Sequence, residues 1–209
     1  MVALSERGAR TRRRLLDAAA EELITTGEVE VAAVARRAGV SVGLPYRYFQ
    51  TQSGLVSALL ARFYYRVDAA VFRGFPGGTW AARERARMGA LVRHLYGDPL
   101  APAILGQRSR DVQATEVESR YMRLVIDRAA RNLAGARSRG EGAPEGDLEL
   151  LAACLMGGLR SALGTALNRT PRPDPEALTD TLWAFMKNVT HPVEEADGVH
   201  LDVGEVPSS

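Results

Sequence analysis

The chain has little of what covalent and metal chemistry need. Its one cysteine, Cys154, allows neither an internal disulfide nor a cysteine-based zinc site. The three histidines, His94, His191 and His200, show no close metal-ligand spacing, so no metal and no cofactor is expected. Nor is there a nucleophile–base pair, a carboxylate dyad or a phosphate-cradling glycine loop, and an enzyme is not expected. Long apolar runs are missing too: the longest, Leu150 to Leu159, stops at Arg160, short of a membrane span, and Met1–Arg7 lacks the apolar stretch of a signal peptide. A cytoplasmic location with no membrane partner follows as the expectation. Lysine is almost absent, Lys187 being the sole one among 27 basic residues.

The remainder describes a folding chain. Hydrophobic residues make up 46% and charged residues 25% of 209 positions, which excludes wholesale disorder and leaves room for one compact body, or a small module fused to a larger one. The formal net charge of +2 is unevenly spread. Residues 1–66 hold ten Arg against six acids, whereas later residues are slightly acidic, so the first segment is the positive end.

Apolar residues recur with helical spacing and no convincing two-residue alternation occurs, which predicts an all-α fold of about nine helices. Leu16, Ala19, Ala20, Leu23 and Ile24 mark helix 1 up to Gly27. Val31, Val34, Ala35 and Ala38 mark a short second helix ending at Gly39. Ser41 is placed to cap a third, which carries Pro45 in its first turn and reaches about Tyr48. Leu55, Leu59, Phe63 and Val67 form a stripe on a longer fourth helix. Further helices are predicted over about 80–96, 111–134, 147–168 and from Asp174-Pro175 to Pro192, with a short piece between Pro99 and Gln107. Glu116/Arg120 and Asp127/Arg131 are spaced as i,i+4 pairs on a wet face. Residues 193–209 carry five acids and no Lys or Arg and read as a frayed acidic tail.

Val34-Ala35-Arg36-Arg37-Ala38-Gly39-Val40-Ser41-Val42-Gly43 has the form of a helix-turn-helix: small alanines let two helices approach, Gly39 turns the chain and Val40 plugs the space between them. With Tyr46-Arg47-Tyr48-Phe49 and Leu55, the stretch from about Arg12 to Leu60 closely resembles the DNA-binding domain of TetR-family regulators. Beyond it the likeness is one of helix number and order.

That resemblance implies a DNA-binding domain over residues 1–50 and a ligand-binding and dimerisation domain over 51–192, with helix 4, about 52–73, as the link. It implies that Tyr46 and Tyr48 give hydroxyls to phosphates, and that Arg47 reaches a guanine edge or a phosphate. Ser41, Val42, Gly43 and Leu44 would open the recognition helix, Val42 and Leu44 against thymine methyls. Arg10, Arg12 and Arg13, next to Arg14, would clamp the backbone, and Phe49 would sit in the core. Three positions depart from the family pattern: Glu30 replaces a capping Thr, Gln52 a Lys at the start of helix 4, and Pro45 a Leu. An acid beside phosphate repels it and a neutral amide forfeits a charge.

The later helices carry two further expectations. A cavity between helices, lined by Phe63, Met88, His94, Tyr121, Met122 and Val125, would hold a largely apolar small-molecule effector. Small residues at Ala153, Gly157 and Ser161, with ridges from Leu178, Leu182 and Phe185, would form a homodimer interface. The sequence is thus expected to encode a homodimeric repressor, released from a palindromic double-stranded DNA operator by a small molecule. The alternative is the same fold with weak DNA binding, acting through protein partners or as a helical ligand-binding protein. Cys154 reads as a small buried hydrophobe.

Overall fold

A computed structural model describes residues 5–75, 78–106, 112–141 and 145–190. The described residues form nine helices and no strand: α1 (Glu6–Thr26), α2 (Val31–Arg37), α3 (Gly43–Phe49), α4 (Gln52–Val71), α5 (Trp80–Gly97), α6 (Ala101–Gly106), α7 (Val112–Ser138), α8 (Leu148–Leu167) and α9 (Pro175–Thr190). The acidic tail, the stop at Pro192 and the roles considered for His191 and His200 lie outside the described residues.

Local chemistry accounts for most helix ends. Side-chain oxygens of Ser5, Thr51, Thr79, Asp147 and Asp174 accept from the free backbone N–H groups of the following first turns. Gly27 and Gly39 take the left-handed conformation (φ 80° and 62°) that ends one helix and turns the next. Ser41 does not cap α3. The helix starts two residues later, with no side-chain cap bond, and Ser41 instead offers its carbonyl to Leu44 N–H at 3.0 Å.

Helices α1–α3 close on a core of small residues, with Ala19, Val34 and Ala35 fully buried and Phe49 7% exposed. Small side chains bring the helices near enough for Arg37 of α2 to grip the buried Glu22 of α1, through Nη2 at 2.8 Å and Nε at 3.1 Å. Helix α4 begins in contact with this group: a Cβ on Gly54 would lie 2.1 Å from Phe49 O, so only glycine permits that approach. One turn on from Leu59, Arg62 ties α4 to α1, binding Asp17 at 2.6 Å and Leu16 O at 3.0 Å.

From there α4 runs into a helical body, packing on α5 and α7, while α8 packs on α6, α7 and α9. Helix α9 lies along α5, where Trp80 and Trp183 meet at 6.5 Å and Arg85 binds Asp180 at 2.5 Å and Glu176 at 3.0 Å. Leu178 and Leu182 are accordingly buried within their own chain and are not free to form a dimer surface. The two wet-face pairs on α7 form as spaced, Arg120–Glu116 at 2.9 Å and Arg131–Asp127 at 2.5 Å. Cys154 is exposed, on the outer face of α8.

Candidate nucleic-acid interface and effector cavity

The helix-turn-helix presents an apolar and cationic face. Val42 is 51% and Tyr46 47% exposed, and Ser41, Gly43 and Arg47 are exposed beside them. Burial of Pro45 and Phe49 orients α3 so that these positions turn outward. Leu44 and Tyr48 are half-buried, Tyr48 packing on the core and standing 6.3 Å from the Phe49 ring. Gln52 is exposed at the first turn of α4, behind the Thr51 cap that the sequence reading missed. Glu30 is the N-cap residue of α2, exposed and without a side-chain cap bond.

Arg10, Arg13 and Arg14 project into solvent from the first half of α1, and none makes an ion pair among the described residues. Arg12 differs from them. Its guanidinium lies 5.3 Å over the Phe49 ring, so part of its role is to pack α1 on α3.

A cavity of about 300 Å³ opens within the body. Five of the six expected residues line it: Phe63, Met88, Tyr121, Met122 and Val125. His94 does not. It sits in a separate surface dent with Arg66, Arg93 and Asp98, because it lies on the side of α5 away from the cavity-lining stripe Met88–Leu91–Leu95.

The cavity walls also hold charged groups that periodicity gave no reason to place there. Tyr64 of α4 and Tyr121 of α7 stack face to face, with centroids 4.0 Å apart. Tyr121 donates to Asp68 at 3.1 Å, and Arg128 binds the other Asp68 oxygen at 3.2 Å. Arg160 of α8 donates to the Tyr64 hydroxyl at 3.2 Å and pairs with Glu118 at 3.3 Å. Burial raises both phenols, Tyr121 the more strongly beside the Asp68 charge, so both remain protonated at ordinary pH. Burial likewise raises Glu118, against the pull of Arg160. The i,i+4 spacing of Tyr64 and Asp68 was the available signal, since it sets both on the side of α4 that carries Val67 and Val71.

Of the residues expected at a dimer surface, Gly157 and Ser161 are exposed, Ala153 is half-buried and Phe185 is 40% exposed. Phe185 leans on α8, where a Cβ on Gly158 would come within 3.3 Å of its ring. Leu150, on the same helix, is 66% exposed.

Comparison with known proteins places both halves. The profile of bacterial regulatory proteins, tetR family, matches residues 15–59, which run from α1 into α4. The HTH-type transcriptional repressor KstR of Mycolicibacterium smegmatis is 37% identical over 99 residues, 46% of this chain and 48% of its own. The chain thus matches about half the length of that curated relative. FadR from Bacillus subtilis, solved in complex with stearoyl-CoA, has a TM-score of 0.71 at 17% identity, covering 86% of this chain and 99% of that one. A TetR-like transcriptional regulator from Rhodococcus sp. RHA1 has a TM-score of 0.65 at 20% identity, covering 89% and 97%. Residues 15–59 thus match the tetR-family profile, and the chain as a whole shares the fold of TetR-like transcriptional regulators.

Proposed function

We propose that the chain is a sequence-specific, DNA-binding transcriptional repressor that works as a homodimer in the cytoplasm and leaves its operator when a small molecule fills the cavity. The observation that carries this is the exposed face of α3. An apolar Val42, a phenol and an arginine stand in solvent on a helix whose other side is locked into the core, and uncommitted arginines of α1 belong to the same small module. Phosphates attract the guanidiniums, whereas Val42 and Arg47 are suited to thymine methyls and guanine edges.

The dimer reading rests on α8. This helix is apolar enough along its length to cross a membrane, yet one side of it is covered by the chain and the other is open at Leu150, Cys154, Gly157 and Ser161. A helix apolar on both sides needs a partner on each, and small residues admit a second helix closely. The proposed surface is therefore Ala153, Gly157 and Ser161 of α8 with Phe185 of α9, without Leu178 and Leu182. Two copies related by a two-fold axis suit a palindromic site. The cavity reading is supported by its position against α4, the helix that also touches α1 and α3, and by the acyl-CoA in the FadR complex.

Selection of bound duplexes from a random pool is the direct test, with enrichment of a palindromic sequence expected. No enrichment, with binding only at low salt, would favour the alternative of weak DNA binding and protein partners, which exposed Glu30 and Gln52 favour. In the same assay Arg47→Ala should lose the selected site without loss of helical content. Gly157→Leu, whose added Cβ meets nothing within 4 Å in one copy, should sediment as a monomer if α8 is the interface.

A further inference from the structure

Just beyond the C-terminal end of α4, three arginines, Arg73 of the segment after α4, Arg87 of α5 and Arg128 of α7, gather on two aromatic rings. Arg128 of α7 lies 4.3 Å over Phe72, while Arg73 and Arg87 lie 5.5 and 5.6 Å over Phe75. Phe72, Arg87 and Arg128 line the cavity, and Phe72 is 41% exposed, so this end of the cavity meets solvent. The opposite wall is formed by the side chains of Leu95, Leu105, Leu159, Leu163 and Met186.

Donors outnumber acceptors at that mouth. Glu84 is engaged by Arg87, and Asp68 already accepts from both Tyr121 and Arg128. Arg87 spends Nε on Val71 O and Nη1 on Glu84, while Arg128 spends Nη1 on Asp68; Nη2 of each makes no hydrogen bond among the described residues. Arg73 is exposed and has no ion pair among them. Glu84, which lines the cavity, and Asp68, next to its wall, are thus committed, while guanidinium N–H groups remain to be satisfied by something that only accepts.

Building on the cavity reading above, we infer that the effector is an anionic amphiphile, whose apolar body fills the cavity and whose carboxylate or phosphate head is held at the mouth by Arg73, Arg87 and Arg128. A planar carboxylate matches the guanidinium fork and a phosphate offers the same acceptors, whereas a cationic head would meet three like charges.

The test uses the purified full chain and four probes of equal chain length below their micelle concentrations: decanoate, decyl phosphate, decanol and decyltrimethylammonium, with affinities measured by calorimetry. At least one of the two anions should bind about tenfold or more tighter than decanol, the size expected for charge-assisted hydrogen bonds at a partly solvated site. The cation should bind weakest, and which anion binds tighter assigns the head as carboxylate or phosphate. Arg128→Gln, which keeps a donor for Asp68, and the exposed Arg73→Glu should each shrink the anion preference, and Arg73→Glu should do so while leaving decanol affinity and thermal midpoint unchanged. Equal affinities for anions and decanol, or the cation binding best, would overturn the inference while leaving the cavity as an apolar ligand site. Binding that is unaltered by Val125→Phe, which narrows the cavity, or no binding by any probe, would overturn the cavity reading as well.

Discussion

The two regions joined by α4 solve packing in opposite ways. The first three helices use alanine and valine to bring backbones together, close their core on Phe49 and satisfy their one buried acid, Glu22, with Arg37. The body beyond α4 uses Trp, Phe, Leu and Met, leaves a void between helices and builds ion pairs into its wall. Tight packing of small residues leaves little room for alternative arrangements, so the first region holds its outward face at a fixed orientation. A hollow bundle can be filled, and what fills it changes the contacts of every helix around it.

The largest effect expected from attacking this contrast is at Phe49. Phe49→Ala should destabilise the N-terminal module by about 3–5 kcal/mol, through cavity formation and loss of the Arg12 stack. Chemical denaturation followed by circular dichroism measures it, and an unchanged profile would mean that the module does not depend on this ring. A matched pair of enlargements comes next. Ala35→Leu should cost about 1–3 kcal/mol because nothing near Ala35 has room to move. Val125→Phe, which enlarges a side chain beside the void, should change stability by under about 1 kcal/mol. Equal penalties in the same melts would erase the distinction between a filled and a hollow region.

Smaller effects sharpen the first region alone. Glu30→Thr can supply the cap that α2 lacks, adding about 0.5–2 kcal/mol of stability, and it removes a negative charge. Gln52→Lys should leave stability nearly unchanged and steepen the log–log salt dependence of DNA binding by about one unit. Both should tighten binding to all duplexes alike, since phosphates carry no direct sequence information. Binding isotherms across salt concentration check this, and no response from either variant would mean that the first turns of α2 and α4 stay away from the duplex.

Legibility from sequence divides along the same line. In the first region Gly27, Gly39 and the alanines of α2 report their roles locally, because turns and close approaches are set by residues adjacent in the chain. Asp147 and Asp174-Pro175 announced α8 and α9 for the same reason. The stripe Leu178–Leu182 on α9 was correctly read as apolar but assigned to the wrong neighbour: periodicity shows which face is greasy, not whether α5 or a second copy covers it. Asp68, Arg87, Arg128 and Arg160 were missed because charged residues on amphipathic helices ordinarily mark the wet face. Tertiary pairing of Asp68 with Tyr121 and Arg128 and of Arg160 with Glu118, and the pairing of Arg87 with Glu84 within α5, hold such groups at or beside the cavity wall. His94 shows the converse, an aromatic-flanked histidine that helix rotation carries away from the void.

The tie between Arg62 and α1 has a geometrical consequence. Arg62 holds both the Asp17 side chain and the Leu16 carbonyl and so couples the middle of α4 to α1. At 1.5 Å per residue, α4 is a rod about 30 Å long, so a tilt of about 5° imposed at its cavity end sweeps the other end through about 2.6 Å. In the proposed two-fold pair the sweeps would be opposed, and the separation of the two α3 helices would change by about 5 Å against the roughly 34 Å of one duplex turn. The lever needs no large rearrangement, only a hinge that does not give, and the two hydrogen bonds of Arg62 supply its stiffness.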